Sequence, residues 1–152
     1  MTKAIQFLSI LLLLNISLMA QNNDSIKQND YWKGKLTDVQ YSVAREKGTE
    51  RPFTGEYWNF FEKGTYSCVC CGTSLFESDS KFASSCGWPS FFDSKYKDNI
   101  EFYVDKSHGM IRTEVLCKKC GAHLGHIFDD GPKPTGKRFC INSVSVKFTP
   151  NK

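Results

Sequence analysis

Cys68-Val69-Cys70-Cys71-Gly72 and Cys117-Lys118-Lys119-Cys120-Gly121 decide the reading of this chain. Both read C-x-x-C-G. A two-residue spacer turns the backbone so that both sulfurs face one point, and the glycine tolerates the positive φ and close approach that such a turn needs. Two such pairs supply the four thiolates of a tetrahedral Zn²⁺, so Cys68, Cys71, Cys117 and Cys120 are the expected ligands of one structural zinc. The 45 residues between Cys71 and Cys117 exceed the ~15–20 of a simple zinc ribbon, so the metal would clip together distant parts of a larger domain. The competing readings are a thioredoxin-like redox pair and an extracellular disulfide. A redox C-x-x-C opens a helix in a βαβ context, and that alternation is absent from this sequence. Cys70 could pair with Cys68, but its counterpart in the second knuckle is Lys119, and it is read as a spare thiol.

Working outward from the knuckles, short runs of alternating or β-branched character predict strands over 64–68, 102–105, 111–117 and 143–148. The last would place Val144, Val146 and Phe148 on one face. On the N-terminal side, Thr37 and Gln40 have the spacing of a capping box, with Leu36, Val39 and Val43 at helical spacing behind it. Gly48 is the expected left-handed stop. The sequence therefore predicts one mainly antiparallel β domain with a small helical N-terminal part.

The chain has 152 residues, which is one domain's worth, and its 12 Phe, 6 Tyr and 3 Trp can furnish the core. A formal charge of +4 is too mild for the dense basic face of a nucleic-acid binder, and no nucleic-acid partner is expected. Lys3 followed by the apolar run from Ile5 to Leu14, interrupted by Gln6 and Ser9, reads as an export signal. Ile5 to Ala20 is shorter than the ~20 apolar residues of a spanning helix, and the small residues near Ala20 suit a peptidase. Leu18 at the −3 position is tolerable. An uncleaved anchor is the alternative, while the lack of a cysteine after the run argues against a lipid anchor. We therefore expect a signal peptide over 1–20, a flexible linker over 21–35 and a folded domain over 36–149. The mature protein would be secreted or periplasmic, without stable membrane insertion.

Two cysteines remain. Cys140 follows Lys137 and Arg138, and neighbouring cations favour thiolate over thiol. Cys86 lies in the aromatic-rich turn Ser85-Cys86-Gly87-Trp88-Pro89-Ser90-Phe91-Phe92. Taken alone, each such cysteine is more often inert and packed than catalytic.

Four segments in register are more specific: 48–55 (GTERPFTG), 86–91 (CGWPSF), 123–132 (HLGHIFDDGP) and 138–143 (RFCINS). With the two knuckles between them, they make the chain resemble the methionine sulfoxide reductase B family across roughly residues 36–149. We expect two antiparallel sheets in a sandwich or tent-like barrel. The resemblance implies reduction of methionine R-sulfoxide, protein-bound or free, and repair of oxidised proteins. It makes Cys140 the nucleophile and Cys86 the resolving thiol, with a Cys86–Cys140 disulfide recycled by a thioredoxin-like donor. It makes Trp88, aided by Phe128, the wall against the substrate's S-methyl group. Arg138 and Asn142 match pocket positions, the first supporting thiolate charge and the second organising hydrogen bonds near the oxygen. The departing oxygen requires a proton near neutral pH, which His123 or His126 can give, with Asp130 expected to orient a histidine. His108 is given a peripheral or structural role. Ser85 stands where many relatives have glycine. A monomer is expected. The alternatives are a zinc-bearing binding module without catalysis and a general disulfide oxidoreductase.

Overall fold

The computed structural model describes residues 27–152, so the expected signal peptide and residues 21–26 of the expected linker lie outside it. No helix among the described residues is long and apolar enough to cross a membrane.

Residues 27–35 are not a loose tether. A 3₁₀ turn at Asn29–Trp32 carries Trp32 into the core. Arg45 fixes the segment from the helix behind it: its guanidinium donates to Asn29 Oδ1 at 3.1 Å, to the Lys27 carbonyl at 2.8 Å and to the Cys120 carbonyl at 2.8 Å. The polar composition that suggested a linker misses one aromatic anchor and one buried arginine whose donors meet acceptors.

Helix α1 (Asp38–Glu46) starts as its sequence predicts. Gln40 N–H donates to Thr37 Oγ1 and Thr37 N–H donates to Gln40 Oε1, the reciprocal capping box. Its end differs, because Lys47 rather than Gly48 takes the left-handed conformation (φ 61°) while its ammonium pairs with Glu114 at 2.8 Å. The expected apolar stripe is incomplete too. Val43 is buried and Leu36 packs on the core, but Val39 is 57% exposed.

Among the described residues nine strands form two antiparallel sheets, as expected for the fold class. The smaller sheet has the order β2-β1-β9, from β1 (Gly64–Cys68), β2 (Ser74–Glu77) and β9 (Val146–Pro150). The larger has the order β3-β4-β8-β7-β6-β5. Its strands are β3 (Lys81–Phe82), β4 (Ser90–Phe91), β5 (Ile100–Asp105), β6 (Arg112–Cys117), β7 (His123–Phe128) and β8 (Arg138–Ile141). The final strand starts later than its alternation suggests. Both carboxylate oxygens of Glu50 accept backbone N–H groups, from Ser143 at 2.6 Å and Val144 at 3.1 Å, and pull Ser143–Ser145 into a 3₁₀ turn.

Aromatic rings join the sheets. Phe91 of β4 stacks on Phe76 of β2 (centroids 4.5 Å, 18°) and meets Tyr66 of β1 edge-on at 5.1 Å, while Phe139 of β8 meets Phe76 at 5.4 Å. All four are buried, and burial of such side chains contributes roughly 1.5–3 kcal/mol each. This cluster sets β4 and β8, which carry the reactive face, on a rigid base.

Candidate active site and metal centre

The two knuckles fold alike. Gly72 N–H donates to the Cys68 carbonyl at 2.9 Å and Gly121 N–H to the Cys117 carbonyl at 2.7 Å, both glycines having φ near 70°. Cys68 ends β1 and Cys117 ends β6, so the knuckles belong to different sheets. All four sulfurs lie within 4.8 Å of one another, with Cys68–Cys120 and Cys71–Cys117 both at 3.6 Å. Four thiols so close, three of them buried, form a donor set that can hold a tetrahedral metal ion. Cys70, half-buried beside them, is not part of that set.

The reactive face follows from the register of the larger sheet. Ser90 is opposite Cys140, Cys140 opposite His126, His126 opposite Glu114, and Glu114 opposite Tyr103. Side chains two residues apart on a strand share a face, so Asp105, Arg112, Phe128 and Arg138 form a second row beside the first. Gly125 lets β7 close on β8, since a Cβ there would run into the Cys140 carbonyl oxygen. A cavity of about 110 Å³ opens over these rows, lined by Cys140, Trp88, Phe128, His126, Asn142, Arg112 and Thr49.

Cys140 Sγ and Cys86 Sγ are 3.7 Å apart. Donation from the Cys140 thiol draws the Cys86 thiol down to about 4, and the same contact, with burial, pushes Cys140 up against the opposing influence of Arg138. The pair therefore shares one proton, and the two sulfurs titrate together. The cations upstream of Cys140 pointed to a thiolate on Cys140 itself. What they could not reveal is the second sulfur at 3.7 Å, with which Cys140 shares its proton.

Each histidine has its own carboxylate. His123, 3% exposed, places Nδ1 at 2.7 Å from Glu114 Oε1, and its buried Nε2 has no protein partner among the described residues. Burial pushes the Glu114 carboxyl up, but His123 and Lys47 outweigh it and hold the group below its ordinary value. His126 places Nε2 at 2.9 Å from Asp105 Oδ2. Hydrogen bonds from Ser107, with His126 and Arg112, keep Asp105 ionised, so the His126 nitrogen facing it is the N–H donor. Burial lowers the His126 pKa, with Asp105 partly opposing.

Asp130 orients neither histidine. It lies in a fork with Arg138, at 2.9 and 2.8 Å, and that pair holds the guanidinium 4.5 Å from the Phe128 ring centre. The nearest acid in sequence is thus not the partner, because cross-strand register brings Glu114 and Asp105 instead. Those two, with Arg112, Thr49 and Glu50, are the site residues to which the sequence assigned no role. The local signals for them are the alternation of Arg112 and Glu114 with apolar Val115 and Cys117 along one strand, and the place of Thr49 and Glu50 in the 48–55 segment.

Trp88 walls the cavity, its indole N–H donating to the Glu50 carbonyl at 3.1 Å. Asn142 is buried and spans two segments: its Oδ1 accepts from Glu50 N–H and its Nδ2 donates to the Leu124 carbonyl, both at 3.1 Å. One amide hydrogen is left for the cavity. His108 sits exposed in a turn with φ 54°, away from the cavity lining.

Residues 36–150 match the SelR domain. The chain belongs to the methionine sulfoxide reductase B family. It is 58% identical to a peptide methionine sulfoxide reductase MsrB of Hahella chejuensis over 126 residues, 82% of this chain and 91% of that protein. The MsrB of Cellvibrio japonicus is 56% identical over 137 residues, covering 85% of this chain and 98% of the relative. That of Methanosarcina mazei is 54% identical over 131 residues, covering 86% of this chain and 93% of the relative. Family membership thus extends over the whole described β domain, from before α1 to the end of β9.

Proposed function

We propose that this chain reduces the R-sulfoxide of methionine, chiefly in oxidised proteins, with Cys140 as nucleophile. The observation that supports it best is the placement of two thiols: Cys140 lines an aromatic-walled cavity with Cys86 directly behind it. Trp88 and Phe128 offer flat apolar faces to the S-methyl group, while Arg112, His126 and Asn142 offer polar atoms to the S=O.

The reaction begins with transfer of the shared proton from Cys140 to Cys86 across the contact already in place. The Cys140 thiolate then attacks the sulfoxide sulfur, and the oxygen takes up a proton. His126 is the histidine that lines the cavity and can pass on a proton from its other nitrogen once it has taken one up, and His123, held by Glu114, stands 5.5 Å from it ring to ring. Methionine leaves, and Cys140 becomes a sulfenic acid. Cys86 attacks that sulfur, an S–S bond forms, and water departs. Two electrons pass from the thiols to the sulfoxide. The sulfurs need only close from 3.7 Å to the ~2.05 Å of a disulfide. An external thioredoxin-like dithiol restores the pair.

Zinc is the metal we assign to the four-cysteine centre. Zinc–sulfur bonds of ~2.3 Å in a tetrahedron place sulfurs about 3.8 Å apart, close to the spacings described above. Its role is structural, since four protein ligands leave no open position. We further propose export through residues 1–20, which would make the reductant an extracytoplasmic thioredoxin-like carrier, and action as a monomer.

Two experiments test this reading. Purified protein with a dithiol should consume methionine R-sulfoxide and spare the S epimer; equal loss of both, or of S alone, defeats it. Cys86→Ser should release about one methionine per enzyme and then stop under a thioredoxin-type donor. Continued full cycling would pass the resolving role to another thiol.

A further inference from the structure

The catalytic cavity is small. Its volume of about 110 Å³ falls below the ~300 Å³ of ordinary small-molecule pockets, so it takes the sulfoxide head of a side chain and little else. The polypeptide on either side of an oxidised methionine must lie somewhere. A second, larger groove of about 550 Å³ runs between α1 and the 49–55 loop, and Thr49 lines both. Its apolar lining comes from Val39 and Val43 of α1 and from Val144, with the Ser42 and Thr54 hydroxyls alongside and Asp38 and Arg51 adding one charge of each sign.

Val39 is the informative member. Its helical spacing assigns it to the core, yet it is more than half exposed and faces this groove. Nearby Glu50, also on the lining, is already spent on the Ser143 and Val144 backbone N–H groups. What remains is a strip of three valines set among hydroxyl groups and the charged Asp38 and Arg51, meeting the reaction cavity at Thr49. Such a strip suits an extended peptide with an apolar side chain.

We infer that this groove seats the substrate polypeptide next to the oxidised methionine and favours an apolar residue there. The inference rests on the sulfoxide reductase reading above and deepens it: it names where sequence preference arises. The groove's occupant is thus substrate chain, not the dithiol donor.

Val39→Asp and Val39→Ser test it. Val39 is in the first turn of α1 just after the Thr37 cap, where an added carboxylate suits the helix dipole, so both variants should fold with unchanged Tm. The probes are a short peptide with leucine on both sides of a methionine R-sulfoxide, and N-acetylmethionine R-sulfoxide amide. The ratio of kcat/KM on the peptide to that on the small amide should fall roughly tenfold in Val39→Asp, through KM, and less in Val39→Ser. A ratio unmoved in both variants overturns the groove. So does a rise confined to the KM for the dithiol protein, which would hand this surface to the reductant. Wild-type protein that reduces neither probe defeats the underlying reading instead, so the two failures are distinct.

Discussion

Cys140→Ser abolishes methionine release, with turnover reduced by roughly four orders of magnitude or more. Serine nearly matches the shape of cysteine and keeps the Ser90–Cys140 strand pairing, so the fold and the cavity survive. What disappears is the atom that can accept a sulfoxide's oxygen, since a serine hydroxyl neither ionises near neutral pH nor forms a sulfenic acid. The Cys86 sulfur remains, but it is absent from the cavity lining and cannot substitute from behind. The check is a single-turnover assay: no methionine forms even at stoichiometric enzyme, while Tm stays within a few degrees of wild type. A burst of methionine from this variant would move the nucleophile to Cys86.

The second large effect falls on the fold. Removing one ligand, as in Cys117→Ser, or stripping the metal with a strong chelator, should lower Tm by more than about 10 °C or leave the chain unfolded. Structural zinc contributes an apparent ~10–16 kcal/mol in small domains, comparable to or above the ~5–15 kcal/mol of net stability. Here the centre joins the end of β1 in one sheet to the end of β6 in the other, so its loss releases both. Metal analysis should fall from about one zinc per chain to near zero along with Tm. Retained Tm in a metal-free sample would reduce the cluster to four thiols packed together.

These two sites differ in how far the sequence exposed them. A C-x-x-C-G knuckle is a local object: spacing alone bends the backbone, and both turns form as read. The capping box of α1 is local as well. Strands β3 and β4 have two residues each, and β2 and β8 four, too short for any period to emerge. Strand β7 was hidden behind its own chemistry, since His123-Leu-Gly-His126 has no clean alternation. The late start of β9 depends on Glu50, almost a hundred residues away in sequence. The same non-locality hid the histidine partners. Asp130 is close to His126 along the chain, but pairing of β6 with β7 puts Glu114 across from it, and the β5–β6 end brings Asp105. Resemblance supplied Cys140, Cys86 and Trp88, and the cavity gathers Cys140 and Trp88 with Cys86 immediately behind. It did not supply the shared proton, which required both sulfurs to be located in space.

Seven cysteines in one short chain pose a hazard for any protein that meets oxidants, because thiols are alike to a peroxide. The partition seen here answers it by accessibility. Cys68, Cys117 and Cys120 have almost no exposed surface, and Cys71, half-buried like Cys86 and Cys140, is the clasp's one partly open sulfur. An oxidant that reaches the clasp would meet Cys71 first, so loss of the metal under peroxide should begin at that sulfur.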